Sequence, residues 1–210
     1  MYKHSHSLPI MYKRTGILLC LLFSSLTFGT EPLFAQVHQA GQSAFELSAG
    51  VLDGFKLPKQ DNSGYFSALA YSRYTSRNSY WKASFHLNQK FYAYDQKQVP
   101  VSQWLGEATY FTRALGLINR GWMLNVGGGV AGGYESVNKD SRVIEGALIG
   151  NESNWVVGPT LAVEWEYLLT GKTILTARVQ EYYLFRSSIT PTRFNLGIGI
   201  KFILPTDSAN

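Results

Sequence analysis

The fold class is decided by the stretch WVVGPTLAVEWEY, residues 155–167, because apolar residues occupy every second position. One face of this stretch carries Trp155, Val157, Pro159, Leu161, Val163, Trp165 and Tyr167. The other face carries Val156, Gly158, Thr160, Ala162, Glu164 and Glu166. Successive side chains of a β-strand point to opposite sides of a sheet, so this alternation predicts a strand with one apolar side.

The same alternation recurs along the rest of the chain. It is clear over residues 81–90, 122–131 and 194–202, and weaker over residues 44–52, 65–74, 99–114 and 173–185. Beyond the N-terminal region, no window of the sequence shows a convincing helical period. We therefore predict an all-β protein with eight strands.

The polar face of these strands distinguishes a membrane barrel from a soluble one. A soluble barrel needs many Lys and Glu residues on its water-facing side, whereas this face is rich in Gly, Ser, Thr, Asn, Ala and Gln. Charged residues make up only 16% of the 210 residues, against roughly 25% in an ordinary soluble domain. Small polar side chains suit the crowded interior of a narrow barrel, and the apolar face then contacts lipid.

Aromatic residues bracket the apolar face of residues 155–167. Twelve residue steps of ~3.3 Å, tilted by ~40°, rise by ~30 Å, which matches the apolar band of an outer-membrane barrel with its aromatic girdles. The connections agree, since the even-numbered ones are short and the two longest, 53–64 and 137–154, are odd-numbered. We predict an antiparallel up-and-down eight-stranded outer-membrane β-barrel.

The N-terminus has the pattern of an export signal. Lys13 and Arg14 precede an apolar run over residues 17–23, and small and polar residues lead to a cleavage site after Ala35. The run is too short to span a membrane as a helix. We predict a cleaved signal peptide at 1–35, a short N-terminal segment at 36–43, a barrel domain at 44–204 and a tail at 205–210. The expected location is the outer membrane of a Gram-negative bacterium.

The net charge of +5 does not indicate a nucleic-acid partner, because the cations are scattered singly and form no stripe or tail. We expect no direct binding to nucleic acid. The glycine-rich stretch at residues 127–132 matches a dinucleotide-binding pattern, but it lies inside a predicted strand and not at a strand-to-helix turn. Its glycines instead relieve crowding inside the barrel and ease bending of the strand.

Charged residues on the polar face predict a network inside the barrel, because buried charges need partners. The candidate members are Lys82, Lys90, Glu107, Glu135, Glu164, Glu166, Arg178 and Lys201. A catalytic interpretation starts from Ser84 and His86 with Glu164 and Glu166, but both Ser84 and His86 lie in mid-strand, away from the rims that substrates reach. His38 offers no second metal ligand at a useful spacing. We expect no enzyme activity, cofactor or metal.

Four stretches in order resemble one family. They are VPVSQWLGE at 99–107, GGYESVN at 132–138, VEWEYL at 163–168 and FNLGIGIKFIL at 194–204. Together they resemble the TraO family, the conjugal transfer proteins encoded by conjugative transposons of Bacteroidetes. The resemblance extends from about residue 50 to residue 204, and its specificity lies in the order and spacing of the stretches.

The resemblance implies an outer-membrane component of the mating apparatus that moves DNA between cells. Its expected partners are outer-membrane lipid and other envelope proteins of that apparatus, and it transfers no catalytic residue to this chain. The residues alone do not indicate conjugation, so two alternatives stay open: a small outer-membrane barrel of general stability or adhesion type, and a lipid-active barrel enzyme. A cluster of Ser, His and an acid at the barrel rim would favour the enzyme.

Overall fold

A computed structural model describes residues 38–53, 63–94, 97–117, 121–138, 143–144, 147–148, 153–188 and 190–205. Eight antiparallel strands close into a barrel, which confirms the predicted all-β architecture. The barrel strands are β1 (Ser43–Leu52), β2 (Ser63–Tyr74), β3 (Ser79–Tyr94), β4 (Lys97–Leu117), β5 (Trp122–Val137), β8 (Asn154–Leu168), β9 (Thr173–Tyr183) and β10 (Thr192–Ile203). A separate two-stranded hairpin is formed by β6 (Val143–Ile144) and β7 (Ala147–Leu148).

Each barrel strand pairs with its neighbours in sequence, apart from the hairpin, and β1 pairs with β10 to close the sheet. The pairing can be followed once round the barrel from Ser43 on β1. The row passes through Arg73, Trp81, Tyr110, Gly128, Leu161, Glu181 and Phe194. It returns to β1 at Asp53, whose backbone N–H donates to the carbonyl of Phe194. The strands are thus staggered by ten residues, which tilts them against the barrel axis.

Side chains alternate between the lipid-side surface and the lumen as the sequence pattern predicted. On β8, Trp155 is 73% exposed and Leu161 is 69% exposed, whereas Glu164 and Glu166 are fully buried. The outward surface is apolar and aromatic on the other strands too, and the buried polar residues point inward. An apolar exterior and a polar interior are the inverse of a soluble barrel.

The two ends of the barrel differ. The turn end contains the short connections at residues 75–78 and 169–172, together with the start of β1 and the end of β10. The loop end contains the β5–β8 connection with its small hairpin. Most residues of that connection, the predicted signal peptide at 1–35 and residues 206–210 of the predicted tail lie outside the described residues.

Strand β4 is longer than the alternation predicted, running over Lys97–Leu117 where 99–114 was expected. The pairing of β4 with β5 shifts by one residue between Arg113 and Leu115. A bulge of this kind interrupts the period of two, so the sequence pattern ends before the strand does.

Two aromatic rings in the lumen require glycines opposite them. A Cβ atom on Gly127 would lie 2.6 Å from a ring carbon of Phe111, and a Cβ on Gly50 would lie 2.7 Å from the ring of Phe66. These glycines therefore make room for rings that fill the barrel. The described residues include no helix that is long and apolar enough to cross a membrane.

The outward position of Val163 on β8 gives a test of the barrel's orientation toward lipid. Val163→Arg places a cation in the apolar band and should destabilise the folded barrel by roughly 2 to 4 kcal/mol in lipid. Thr160→Ser is the matched control, because Thr160 faces the lumen and serine keeps the hydroxyl that accepts a hydrogen bond from Gln180. Heat-modifiable migration on gels and a urea titration in vesicles measure both. Equal stability of the two variants would contradict the outward assignment.

Candidate functional site: the charged lumen

A cluster of three cations and three carboxylates occupies the lumen. Its members are Glu46, Lys82, Glu164, Glu166, Arg178 and Lys201, from strands β1, β3, β8, β9 and β10. The Nζ atom of Lys82 lies 2.7 Å from Glu46, and Arg178 donates to Glu46 over 2.9 Å. Glu164 accepts from Arg178 Nε at 2.8 Å and from Lys201 at 2.9 Å. We call this set the central cluster.

Aromatic side chains form the walls around the central cluster. The hydroxyl of Tyr80 donates to Glu164 over 2.7 Å, and the same ring lies 4.8 Å from the Nζ atom of Lys201. The Nζ atom of Lys82 lies 5.3 Å from the centre of the Phe111 ring. The cations thus contact both carboxylates and ring faces, which offsets part of their loss of water.

A second group surrounds Glu107 on β4, nearer to the loop end. Tyr182 donates to its Oε2 atom over 2.8 Å and Gln180 over 2.7 Å, and Thr109 donates to its other oxygen. His86 Nε2 lies 3.2 Å from Glu107 and 3.1 Å from the hydroxyl oxygen of Ser84. All of these side chains are buried.

Two linked pairs occupy the loop end of the lumen. Glu135 accepts from Gln103 over 2.6 Å and from the Ser188 backbone over 2.8 Å, and it lies 3.5 Å from Arg193. Asp53 accepts from Lys90 over 2.6 Å and lies 3.7 Å from Arg193. Arg193 therefore connects the two carboxylates.

His38, which precedes β1, lies at the turn end of the lumen. Its ring stacks on Tyr74 with 4.5 Å between the ring centres, and its Nε2 atom lies 3.2 Å from Glu166. Arg113 Nη2 lies 3.1 Å from His38 Nδ1 and donates to it, which leaves the ring proton on Nε2, facing the carboxylate. The backbone here has φ 64°, and Gly41 N–H donates to the carbonyl of Tyr74. The described part of the short N-terminal segment, residues 38–42, therefore contacts the barrel.

The structure divides the eight residues of the predicted network among these groups. Lys82, Glu164, Glu166, Arg178 and Lys201 meet in the central cluster, whereas Glu107, Lys90 and Glu135 each have other partners. Four further members were not among the predicted residues: Glu46, Asp53, Arg193 and His38. The side chain of Glu46 on β1 points inward, as do those of Ala44 and Ser48. The weak alternation of that strand in the sequence obscured this position.

The geometry around His86 differs from the catalytic interpretation. Its carboxylate partner is Glu107, not Glu164 or Glu166. A catalytic triad needs one ring nitrogen for the nucleophile and the other for the acid. Here Nε2 contacts both Ser84 and Glu107, and Nδ1 has no hydrogen-bond partner among the described residues. This arrangement does not form a proton relay.

The interior leaves little free space. A cavity of about 10 Å³ is lined by residues that include His86, Gln180 and Asn195, which is room for about one water molecule. Within the described ranges, no group of three His, Cys, Asp or Glu side chains is arranged to hold a metal ion. The arrangement pairs charges across the lumen and fills its described part with buried side chains.

Comparisons with known proteins agree with this architecture. The family model described as conjugative transposon protein TraO matches residues 40–204. No match was found among curated proteins.

Among solved structures, Ail, the attachment invasion locus protein of Yersinia pestis, is 14% identical with a TM-score of 0.52, covering 79% of this chain and 100% of that one. Neisserial surface protein A is 10% identical with a TM-score of 0.52, covering 77% and 95%. The outer membrane protein OprG from Pseudomonas aeruginosa is 14% identical with a TM-score of 0.51, covering 79% and 97%. These likenesses establish the fold as that of an outer-membrane barrel.

The central cluster predicts a large effect of removing one carboxylate. Glu164→Gln leaves Lys82, Arg178 and Lys201 with two carboxylates, and an uncompensated buried charge should cost roughly 3 to 5 kcal/mol in unfolding free energy. Glu181→Gln is the matched control, since it makes the same chemical change on the outward side of β9. Tryptophan fluorescence during urea unfolding in vesicles measures both. A loss below ~1 kcal/mol for Glu164→Gln would show that the cluster does not stabilise the barrel.

The filled lumen also predicts the electrical behaviour of the protein. Purified protein in planar lipid bilayers should show no stable, large channel, because the side chains inside an eight-stranded barrel leave little water. Reproducible steps of porin size from the monomer would contradict a filled lumen.

Proposed function

The chain belongs to the TraO family of conjugative transposon proteins, and from this membership we propose that it is an outer-membrane component of a conjugative DNA-transfer apparatus. Its role there is that of a scaffold or docking protein without catalytic activity. The observation that supports this role is the lumen, whose buried side chains form ion pairs that link strands across the barrel.

The outward surface supports a location in the outer membrane of a Gram-negative bacterium. Trp104, Tyr134 and Trp155 form one row of aromatics near the loop end, with Tyr134 and Trp155 in T-shaped contact at 5.5 Å. Trp81 and Tyr110 lie 5.0 Å apart toward the turn end. Two aromatic girdles that bracket an apolar band fit the two interfaces of a bilayer, so outer-membrane lipid is one partner. Export through a signal peptide at 1–35 completes this proposal.

A filled barrel does not carry the transferred DNA itself. The major groove of duplex DNA alone is about 12 Å wide, whereas this lumen is occupied by side chains such as Phe66, Phe111 and Arg178. The outward surface also lacks a basic stripe over the described strands, so direct binding of nucleic acid is not part of the proposal. The contribution to transfer then comes through contacts with other envelope proteins.

The absence of a relay at His86 supports a non-catalytic role. Ser84 and Glu107 share one nitrogen of the imidazole, and all three side chains are buried in mid-barrel. A lipid or peptide substrate would reach the rims or the outer surface and not this position. We propose that the His86 group stabilises the lumen.

The surfaces available for docking are the loop end and the turn end. The longest connection, residues 137–154, is a candidate docking loop, and of its residues 140–150 only the hairpin strands Val143–Ile144 and Ala147–Leu148 are among the described residues. At the turn end, Arg77 and Lys172 are exposed on short, well-defined turns. Loops carried by a rigid barrel are suited to binding because the scaffold fixes their ends.

Mating assays test the proposal. Deleting the gene should abolish or strongly lower donor-to-recipient transfer, and the full chain should restore it. Replacing residues 140–150 with a short Gly/Ser link should leave the barrel assembled, because closure entropy changes slowly with loop length. It should still lower transfer by weakening contact with a partner.

Outer-membrane abundance and heat-modifiable migration are measured in parallel as the control for assembly. Normal transfer in the deletion strain would rule out the transfer role. Normal transfer with the shortened loop at normal abundance would remove that loop from the docking surface.

A further inference from the structure

The outward face of the barrel is almost free of charge. Among the exposed strand positions that the structure describes, only Arg73 and Glu181 carry charged side chains. Arg73 lies near the turn-end limit of β2, where its guanidinium donates to the hydroxyl of Ser43 over 3.0 Å. Glu181 on β9 has no ion pair or side-chain hydrogen bond with another described residue. Among the described residues it is therefore a solitary carboxylate on the lipid-side surface.

The pairing row places Glu181 within the apolar band. The row of paired residues that leads round the barrel from Ser43 to Asp53 rises by ~25 Å along the barrel axis, because the strands are staggered by ten residues. Glu181 is reached after six of the eight strand-to-strand steps in this row, so it lies ~19 Å above Ser43. Its lateral neighbours in that row are Leu161 on β8 and Phe194 on β10. Tyr183 lies one outward position nearer to the loop end, ~5 Å higher. An aromatic residue thus separates the carboxylate from the loop-end rim.

An apolar groove lies on the same side of the barrel, toward the turn end from Glu181. It has a volume of about 460 Å³ and lies across β1, β9 and β10. The lining residues that matter here are Leu47, Ala49, Leu175, Ile198 and Ile200. Ile198 at 69% and Leu47 at 61% are among the most exposed apolar side chains. Val179 and Leu196 lie between Glu181 and the groove in the pairing register, so an elongated apolar partner with one basic group would span both the groove and the carboxylate.

An ionisable side chain facing hydrocarbon is costly unless a partner meets it, and such residues commonly mark functional contacts. Inside the barrel, by contrast, the carboxylate of Glu164 forms ion pairs with three cations. We propose that Glu181 and the groove on its turn-end side together dock a membrane-embedded segment of another envelope protein, an apolar segment that carries one Lys or Arg at the depth of Glu181. This inference rests on the proposed function, since it takes that protein to be part of the transfer apparatus.

A second copy of this chain fits the surface poorly. Two copies that meet through this surface would bring the Glu181 carboxylate of one copy toward that of the other. The described outward cation, Arg73, lies ~16 Å nearer to the turn end than Glu181. Lipid alone would fill the groove but would leave the carboxylate without a cation at its depth. Charge complementarity therefore favours a protein segment with a basic residue.

Site-specific photocrosslinking in donor cells tests the docking surface. A photoreactive phenylalanine replaces Ile198 in the groove of the full chain, or Phe85 on β3 as the control. Phe85 is 50% exposed and lies on β3, three strands away from β10 around the barrel. We expect a protein adduct at position 198 and not at position 85. Glu181→Lys should lower the adduct at least ~10-fold, because like charges then face each other.

A charge exchange makes the result specific. Changing the Lys or Arg of the captured segment to Glu should lower the adduct with the parent chain and restore it with Glu181→Lys. Glu181→Leu is the second variant, which suits lipid and should assemble normally while still losing most of the adduct. Heat-modifiable migration verifies assembly of every variant.

Several results would overturn the inference. These are a lipid adduct alone at position 198, an adduct to a second copy of this chain, a protein adduct unchanged in the Leu and Lys variants, or no rescue by charge exchange. Mating frequency is measured in the same strains. Loss of transfer on gene deletion without a protein adduct would reject only the docking surface, whereas normal transfer on deletion would reject the transfer role whatever the adduct.

Discussion

Closure of the sheet is the constraint on which the rest of the molecule depends. Eight strands staggered by ten residues enclose a lumen in which every second side chain must fit. Charged groups in so narrow a space lose most of their water, so they persist only where opposite charges meet them. Glu46 and Glu164 satisfy this requirement for Lys82, Arg178 and Lys201, and the glycines opposite Phe66 and Phe111 satisfy the steric part of it.

The sequence was sufficient for the alternation, the strand number and the sorting of residues between lipid and lumen, because each follows from a local period of two. It placed Glu164, Glu166 and Arg178 inside the barrel. It could not assign their partners, since Glu46 and Arg178 meet across 132 positions of chain and only after β1 joins β10. Arg193 and Asp53 were missed for the same reason. His38 was considered only as a metal ligand, and its place in the lumen was not predicted because it stands outside any alternating stretch.

The structural likeness and the family match concern different properties of the protein. The likeness to small outer-membrane barrels is a matter of architecture at low sequence identity, whereas the family match covers residues 40–204 and brings the connection to conjugative transposons. The interior follows the physics common to narrow barrels. Distinctive features are found on the outside, where Glu181 is one of two exposed charges on the described strands, and at the turn end, where His38 contacts Glu166 and Tyr74.

The position of the central cluster has a consequence for the order of assembly. Its carboxylates and cations come from strands near both termini, and β1 meets β10 only when the sheet closes. A half-formed sheet in lipid would expose Glu46 on one edge and Lys201 on the other, each without most of its partners. These unpaired charges raise the free energy of partly closed states, and they gain their partners only when the sheet closes in the last step. The cluster should therefore make insertion cooperative, so that the closed barrel forms in one transition with few stable intermediates.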